Sequence, residues 1–225
     1  MPDYVKEVVR ENPTPNGTYF DLKDAIKNPN NVREIDLNQM ELKAVPNDIQ
    51  NFRNIEVIDL GFNEITQLPS WLINLKKLKT LKLTSNKITD FPGFLLNCDE
   101  LTYIDLSGNL IQNCIIKGNN NNALIQLNLS FNKLKRISSS FMILNKLQIL
   151  LIESNDLDSI PKVIGSMKSL KILNIYHNDI TSYDKSIIKA VKLQSLFLAQ
   201  NPIAENKLAE LKKILPDCKI YFGQP

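Results

Sequence analysis

The residues that could do chemistry are few. His177 is the only histidine of the chain. Nucleophilic or acid–base catalysis would need a serine or cysteine placed beside it by a recognisable motif, and the sequence offers none. No glycine-rich phosphate loop occurs either. Cys98, Cys114 and Cys218 lack any paired spacing, and one histidine cannot supply a cluster. A zinc site of the usual kind is excluded, and no metal or other cofactor is expected. The chain reads as a non-enzyme, and a histidine beside aromatic residues reads as a contact residue.

Contact is the chemistry the residue types do support. Ile149, Leu151, Ile172, Tyr176 and Phe197, with Glu153 and His177 beside them, recur at matching places in three consecutive stretches of similar pattern. Trp71 and Phe94 are likewise 23 residues apart. Such residues form a surface only if a repeating element holds each copy beside the next.

That element is legible in Leu78-Lys79-Thr80-Leu81-Lys82-Leu83-Thr84-Ser85-Asn86-Lys87-Ile88. Apolar residues stand at its first, fourth, sixth and eleventh places and asparagine at the ninth. The pattern begins at Val32 and returns every 23 residues, at Ile55, Leu101, Leu124, Leu147, Leu170 and Leu193. Repetition at this period is the signature of a leucine-rich-repeat solenoid, an α/β horseshoe here of eight repeats.

The fourth and sixth places share one face of a short strand and are buried, because side chains alternate along a strand. The third, fifth and seventh then point outward on a concave, parallel sheet. The ninth-place asparagines, Asn63 to Asn201, are expected to satisfy backbone groups where the chain leaves the strand. Proline follows the fourteenth place at Pro46, Pro69, Pro92 and Pro161, which predicts short 3₁₀ or irregular pieces on the convex side. Cys98 and Cys114 fall on inward places and Cys218 alternates with Ile220 and Phe222, so three reduced, buried thiols are expected.

The ends depart from the period. Residues 1–17 read as a partly ordered arm, cut short by Pro13, Pro15 and Gly17. Residues 18–31 read as a half-repeat cap with a short helix over Asp21–Lys27, in which Leu22 and Ile26 point inward. Eight repeats span 32–203, with Met40 replacing the first asparagine, where an apolar side chain suits a column that lacks one neighbour. The fourth unit is defective, running Cys114-Ile115-Ile116-Lys117-Gly118 into Asn119 to Asn122, which reads as drift on a tolerant convex surface or as a recognition loop. Residues 204–225 form a C-terminal cap, with Leu208, Leu211 and Leu215 on one helical face and a last strand over Lys219–Phe222.

The lead-in Gly17-Thr18-Tyr19-Phe20-Asp21-Leu22-Lys23-Asp24-Ala25-Ile26-Lys27-Asn28-Pro29, followed by Val32-Arg33-Glu34-Ile35-Asp36-Leu37, resembles that of the leptospiral leucine-rich-repeat proteins. The later leucine–proline units are similar to that family too, although Phe91-Pro92 and Ile137-Ser138 depart from it. The resemblance implies a bacterial, non-enzymatic binding module, exported in many members and directed at host proteins.

Composition sets bounds. The chain has 225 residues, 43% hydrophobic and 23% charged, and reads as one continuous domain. Its formal charge of +3 argues against a dedicated nucleic-acid binder. No apolar run is long enough to cross a membrane, and Met1-Pro2-Asp3-Tyr4-Val5-Lys6-Glu7 is no signal peptide, which leaves the compartment open.

Two halves of the concave face differ. The fifth places Asp36, Asp59, Lys82 and Asp105 predict an acidic half with Lys82 between two aspartates. The C-terminal half carries the apolar and aromatic set named above, expected to bind a protein partner unless the arm or the cap folds over it. Burial by a second copy of the chain is the alternative, and an intracellular scaffold another. Trp71 and Phe94, at the seventeenth place of adjacent units, are expected to stack on the convex side as a second candidate surface.

Overall fold

In each unit an inward pair of aliphatic residues brackets one outward residue, and three residues suffice for a strand that only neighbouring units can complete. The computed structural model describes residues 16–116 and 123–222. Its strands in chain order are β1 (Thr18–Tyr19), β2 (Glu34–Asp36), β3 (Val57–Asp59), β4 (Thr80–Lys82), β5 (Tyr103–Asp105), β6 (Gln126–Asn128), β7 (Ile149–Leu151), β8 (Ser159–Ile160), β9 (Ile172–Asn174), β10 (Ser182–Tyr183), β11 (Ser195–Phe197) and β12 (Lys219–Tyr221). Ten form one sheet in the order β1-β2-β3-β4-β5-β6-β7-β9-β11-β12. Each pairing whose register is drawn along this sheet is parallel, as between β2 and β3 or β11 and β12. The fold is a leucine-rich-repeat solenoid.

Register follows burial. Ile35, Ile58, Leu81, Ile104, Leu127, Leu150, Leu173 and Leu196 lie in one row, and all are fully buried. A slip by one residue would turn this whole row to water. The asparagine column lies beside it. Asn132 Oδ1 accepts from Ile111 N at 2.9 Å. Its Nδ2 donates to the carbonyls of Leu106, Leu129 and Ser130 at 2.9, 3.0 and 3.1 Å. Asn86, Asn109, Asn155, Asn178 and Asn201 repeat the arrangement, so one side chain per unit serves four backbone groups.

The convex side is built from 3₁₀ turns, at Asn47–Asn51, Ser70–Asn74, Gly93–Asn97, Ser139–Ile143, Lys162–Ser166 and Lys185–Lys189. Pro46, Pro69, Pro92 and Pro161 each sit immediately before one of them. Where proline is missing a side chain takes over. Ser138 accepts from Ser140 N, and Asp184 from Ser186 N. Two of the convex links pair further, β8 with β10.

Helix α1 (Leu22–Lys27) is capped by Asp21, whose Oδ1 accepts from Lys23 N at 2.6 Å. Its inward face differs from expectation: Ala25 is fully buried and Ile26 is exposed. Helix α2 (Glu205–Ile214) buries Leu208 and Leu211, with Glu205 in its first turn and Lys212 and Lys213 in its last, as the helix dipole favours.

Two further expectations are corrected. Met40 is half exposed, so it does not fill the asparagine's place. Asn63 Oδ1 accepts from both Met40 N and Leu42 N, and its Nδ2 donates to Leu37 O, so the column starts from Asn63. Cys98 and Cys114 are buried as expected, but Cys218 is only half buried at the start of the edge strand β12. Residues 1–15 of the arm and the Asn119–Asn122 run lie outside the described residues.

Candidate interaction surface

The concave sheet presents its residues in register. Fifth places follow one another as Asp36, Asp59, Lys82, Asp105, Asn128, Leu151, Asn174, Phe197 and, from the cap strand, Tyr221. Five of these side chains have a local task. Asp36, Asp59, Asp105, Asn128 and Asn174 each accept the backbone N–H two residues on, from Asn38, Gly61, Ser107, Ser130 and Tyr176. The acidic half is therefore partly a set of strand-end caps. Lys82 pairs with Asp59 at 3.2 Å. Asp105 instead accepts from Tyr103 Oη at 2.9 Å and Asn128 Nδ2 at 3.1 Å, so the expected lysine bridge between two aspartates is one-sided.

Leu151 and Phe197 cannot cap. The N–H groups of Glu153 and Ala199 consequently have no acceptor among the described residues. Folding alone favours aspartate or asparagine at these places, by about 1 kcal/mol each.

Around them the predicted site residues come together. Ile149 and Ile172 are adjacent in register, and Leu151, Asn174 and Phe197 form the next row. All of these, with Tyr176 and Glu153, are partly exposed. The Glu153 carboxylate accepts from Asn174 Nδ2. Tyr176 and His177 place their ring centroids 6.1 Å apart. His177 Nδ1 lies 3.1 Å from Ser154 Oγ, the eighth place of the preceding repeat. The pair lies beside the apolar patch as a polar rim.

The C-terminal cap extends this patch in place of covering it. Tyr221 stacks on Phe197 with centroids 4.4 Å apart and planes within 3°. Lys219 Nζ lies 4.8 Å from the Tyr221 ring centre. Tyr221 is legible in hindsight, because Cys218, Ile220 and Phe222 alternate with it.

Phe62 and Phe131 are the other residues that sequence reading missed. They are 57% and 58% exposed, at the eighth place, where the chain turns out of the strand. The backbone there is left-handed in every unit, with φ of 54° and 55° at the two phenylalanines, 51° at His177 and 66° at Gly108. A bulky side chain in that conformation, half in water, was the available signal.

The second candidate pair fares differently. Trp71 and Phe94 are partly buried against the core, and Trp71 Nε1 meets Asn47 Oδ1 at 3.4 Å. Among the described residues the ring pairs are Phe91–Phe141, Tyr176–His177 and Phe197–Tyr221, so the expected stack is not formed.

No group of three or more potential metal ligands occurs among the described residues. No helix there is long and apolar enough to cross a membrane.

Comparison with known proteins follows the same line. No curated protein matches the sequence. Solved structures match widely. An internalin from Listeria monocytogenes superposes with a TM-score of 0.70 at 20% identity, covering 91% of this chain and 60% of that one. The chain thus spans less than two thirds of that relative. The ectodomain of the Arabidopsis thaliana receptor kinase GASSHO1/SCHENGEN3, solved with CASPARIAN STRIP INTEGRITY FACTOR 2, gives 0.68 at 21% identity over 88% of this chain and 25% of that one. A Leptospira interrogans leucine-rich-repeat protein gives 0.43 at 18% identity over 91% and 99%, too distant to support the narrower leptospiral assignment. A leucine-rich-repeat family model matches residues 53–111 and 145–203, more than half of the sequence, and the chain belongs to the leucine-rich-repeat family.

Proposed function

We propose that the protein is a non-enzymatic interaction module that binds a protein partner on the C-terminal half of its concave face. One observation carries this reading. At Leu151 and Phe197 an apolar side chain takes a place where aspartate or asparagine caps the neighbouring strands, and among the described residues the N–H groups of Glu153 and Ala199 have no acceptor. That substitution weakens the scaffold and creates a surface. It suits an anchor region made of Ile149, Leu151, Ile172, Tyr176 and Phe197, rimmed by Glu153 and His177, onto which a partner's backbone carbonyls could also dock.

Leucine-rich-repeat proteins generally act as interaction modules, and the GASSHO1/SCHENGEN3 ectodomain holds CASPARIAN STRIP INTEGRITY FACTOR 2 in its solved complex. The reading takes all eight repeats and both caps as one binding unit. The resemblance of the lead-in segment makes a host protein, met after export, the first class of partner to screen.

The test is site-specific photo-crosslinking from position 151, with position 36 as the control. A partner captured from 151 and not from 36 supports the reading. Capture from 36 alone would move the site to the acidic half. Capture of a second copy, with concentration-dependent sedimentation, would make the patch a self-association surface.

A further inference from the structure

The overall charge of +3 hides a strong asymmetry. Residues 133–152, 159–178 and 185–204 carry ten lysines and arginines and no aspartate or glutamate. These segments supply the convex turns Ser139–Ile143, Lys162–Ser166 and Lys185–Lys189, which stack on one another. Gly165 lets the last two approach closely, because a Cβ there would lie 2.1 Å from Ser186 O.

A groove of about 600 Å³ opens along this stack, on the side of the molecule away from the concave patch. Its apolar lining is Met142, Met167 and Val191, and its polar lining is dominated by Lys168, Lys189 and Lys192. Met167 forms a buried floor, whereas Met142 is 56% and Val191 83% exposed.

The same flank is built differently in the N-terminal half. There Lys76 pairs with Asp99 one repeat on, at 3.0 Å, and Lys79 with Glu56 at 2.7 Å. Lys168 stands at the repeat place of Lys76, and Val191 at the place of Asp99. The carboxylate that would neutralise the lysine is thus replaced by an aliphatic side chain left in water. None of Lys168, Lys189 and Lys192 is in an ion pair among the described residues. Asp184, which caps the last turn, is the acid that feels Lys189, and it is already held by Ser186.

We propose that this groove is a second docking site, for an acidic amphipathic segment of a partner protein, separate from the concave patch. Apolar side chains of the segment would fill the recess over Met167, and its carboxylates would meet the three lysines on the rim. A recessed floor favours a protein segment over a flat membrane surface, which would leave the groove empty.

The experiment is fluorescence anisotropy with a labelled amphipathic peptide of glutamate and leucine. The proposal expects saturable binding that weakens by about tenfold or more in Lys168→Glu/Lys192→Glu and severalfold in Val191→Ser. Phe197→Ala should leave it unchanged, which separates this site from the concave one. These side chains are exposed, and unchanged circular dichroism would verify the fold of each variant. Equal binding of a lysine–leucine peptide, equal binding of a glutamate–serine peptide, or full binding by the double-lysine variant would each overturn the proposal. So would absence of peptide binding alongside strong binding to phosphatidylcholine vesicles containing phosphatidylserine, which would assign the face to membranes.

Discussion

Tyr221 lies flat on Phe197, 4.4 Å between ring centres, although the two residues belong to a capping strand and a repeat strand. The stack ties the end of the solenoid to the apolar patch, so the cap is part of the surface. Removing the ring in Tyr221→Ala should lower stability by about 1 kcal/mol in a denaturant melt, while Tyr221→Phe should change little. An unaltered midpoint for the alanine variant would show that the stack contributes nothing.

Asn132→Ala should cost more. The amide serves Ile111, Leu106, Leu129 and Ser130 from a nearly buried position. Its loss leaves buried backbone groups unpaired, and about 1–3 kcal/mol of destabilisation is expected. The same melt reads it, and partner binding should be retained once the protein is folded.

Phe131→Gly tests the left-handed turn. Its φ of 55° strains a side chain that is 58% exposed. Relief of about 1 kcal/mol in the folded state offsets the flexibility that glycine adds to the unfolded chain. The variant should be within about 0.5 kcal/mol of the parent, and a loss of 2 kcal/mol or more, the scale of a core truncation, would mean that the ring is packed.

The thiols give a pH prediction. Burial pushes Cys98 up to about 11 and Cys218 to about 11, and raises Cys114 further still. The folded state therefore keeps these protons when the unfolded chain releases them. Their contribution to stability is intact below the ordinary thiol value of 9.0 and should decline as pH rises from there toward about 11. A thiol reagent at pH about 8 should label the half-buried Cys218 first and reach Cys98 and Cys114 only on unfolding. Fast labelling of Cys114 would contradict its inward place.

Much of this architecture was legible because its causes are periodic. The buried row from Ile35 to Leu196 and the column from Asn63 to Asn201 recur every 23 residues, and each copy constrains the next. What escaped was set by single contacts. Ala25 is buried instead of Ile26 because the six-residue cap helix has no neighbouring copy to fix its phase. The Ser154–His177 contact and the Tyr221–Phe197 stack depend on the particular side chains at those places, which the period does not set. The patch was readable as a set of outward places, but the missing caps at Leu151 and Phe197, as at Lys82, required the hydrogen bonds of their neighbours.

The measurement that bears most directly on the proposed function is a binding titration of the crosslinked partner against Tyr176→Ala, Phe197→Ala and Asp36→Ala. Both aromatic side chains point away from the core, so truncating them opens no internal cavity. Each should weaken association by about 2 kcal/mol, roughly thirtyfold, with the fold intact, while Asp36→Ala binds as the parent does. Aromatic variants that melt early and bind normally would contradict the account and make the patch a structural feature of the C-terminal end.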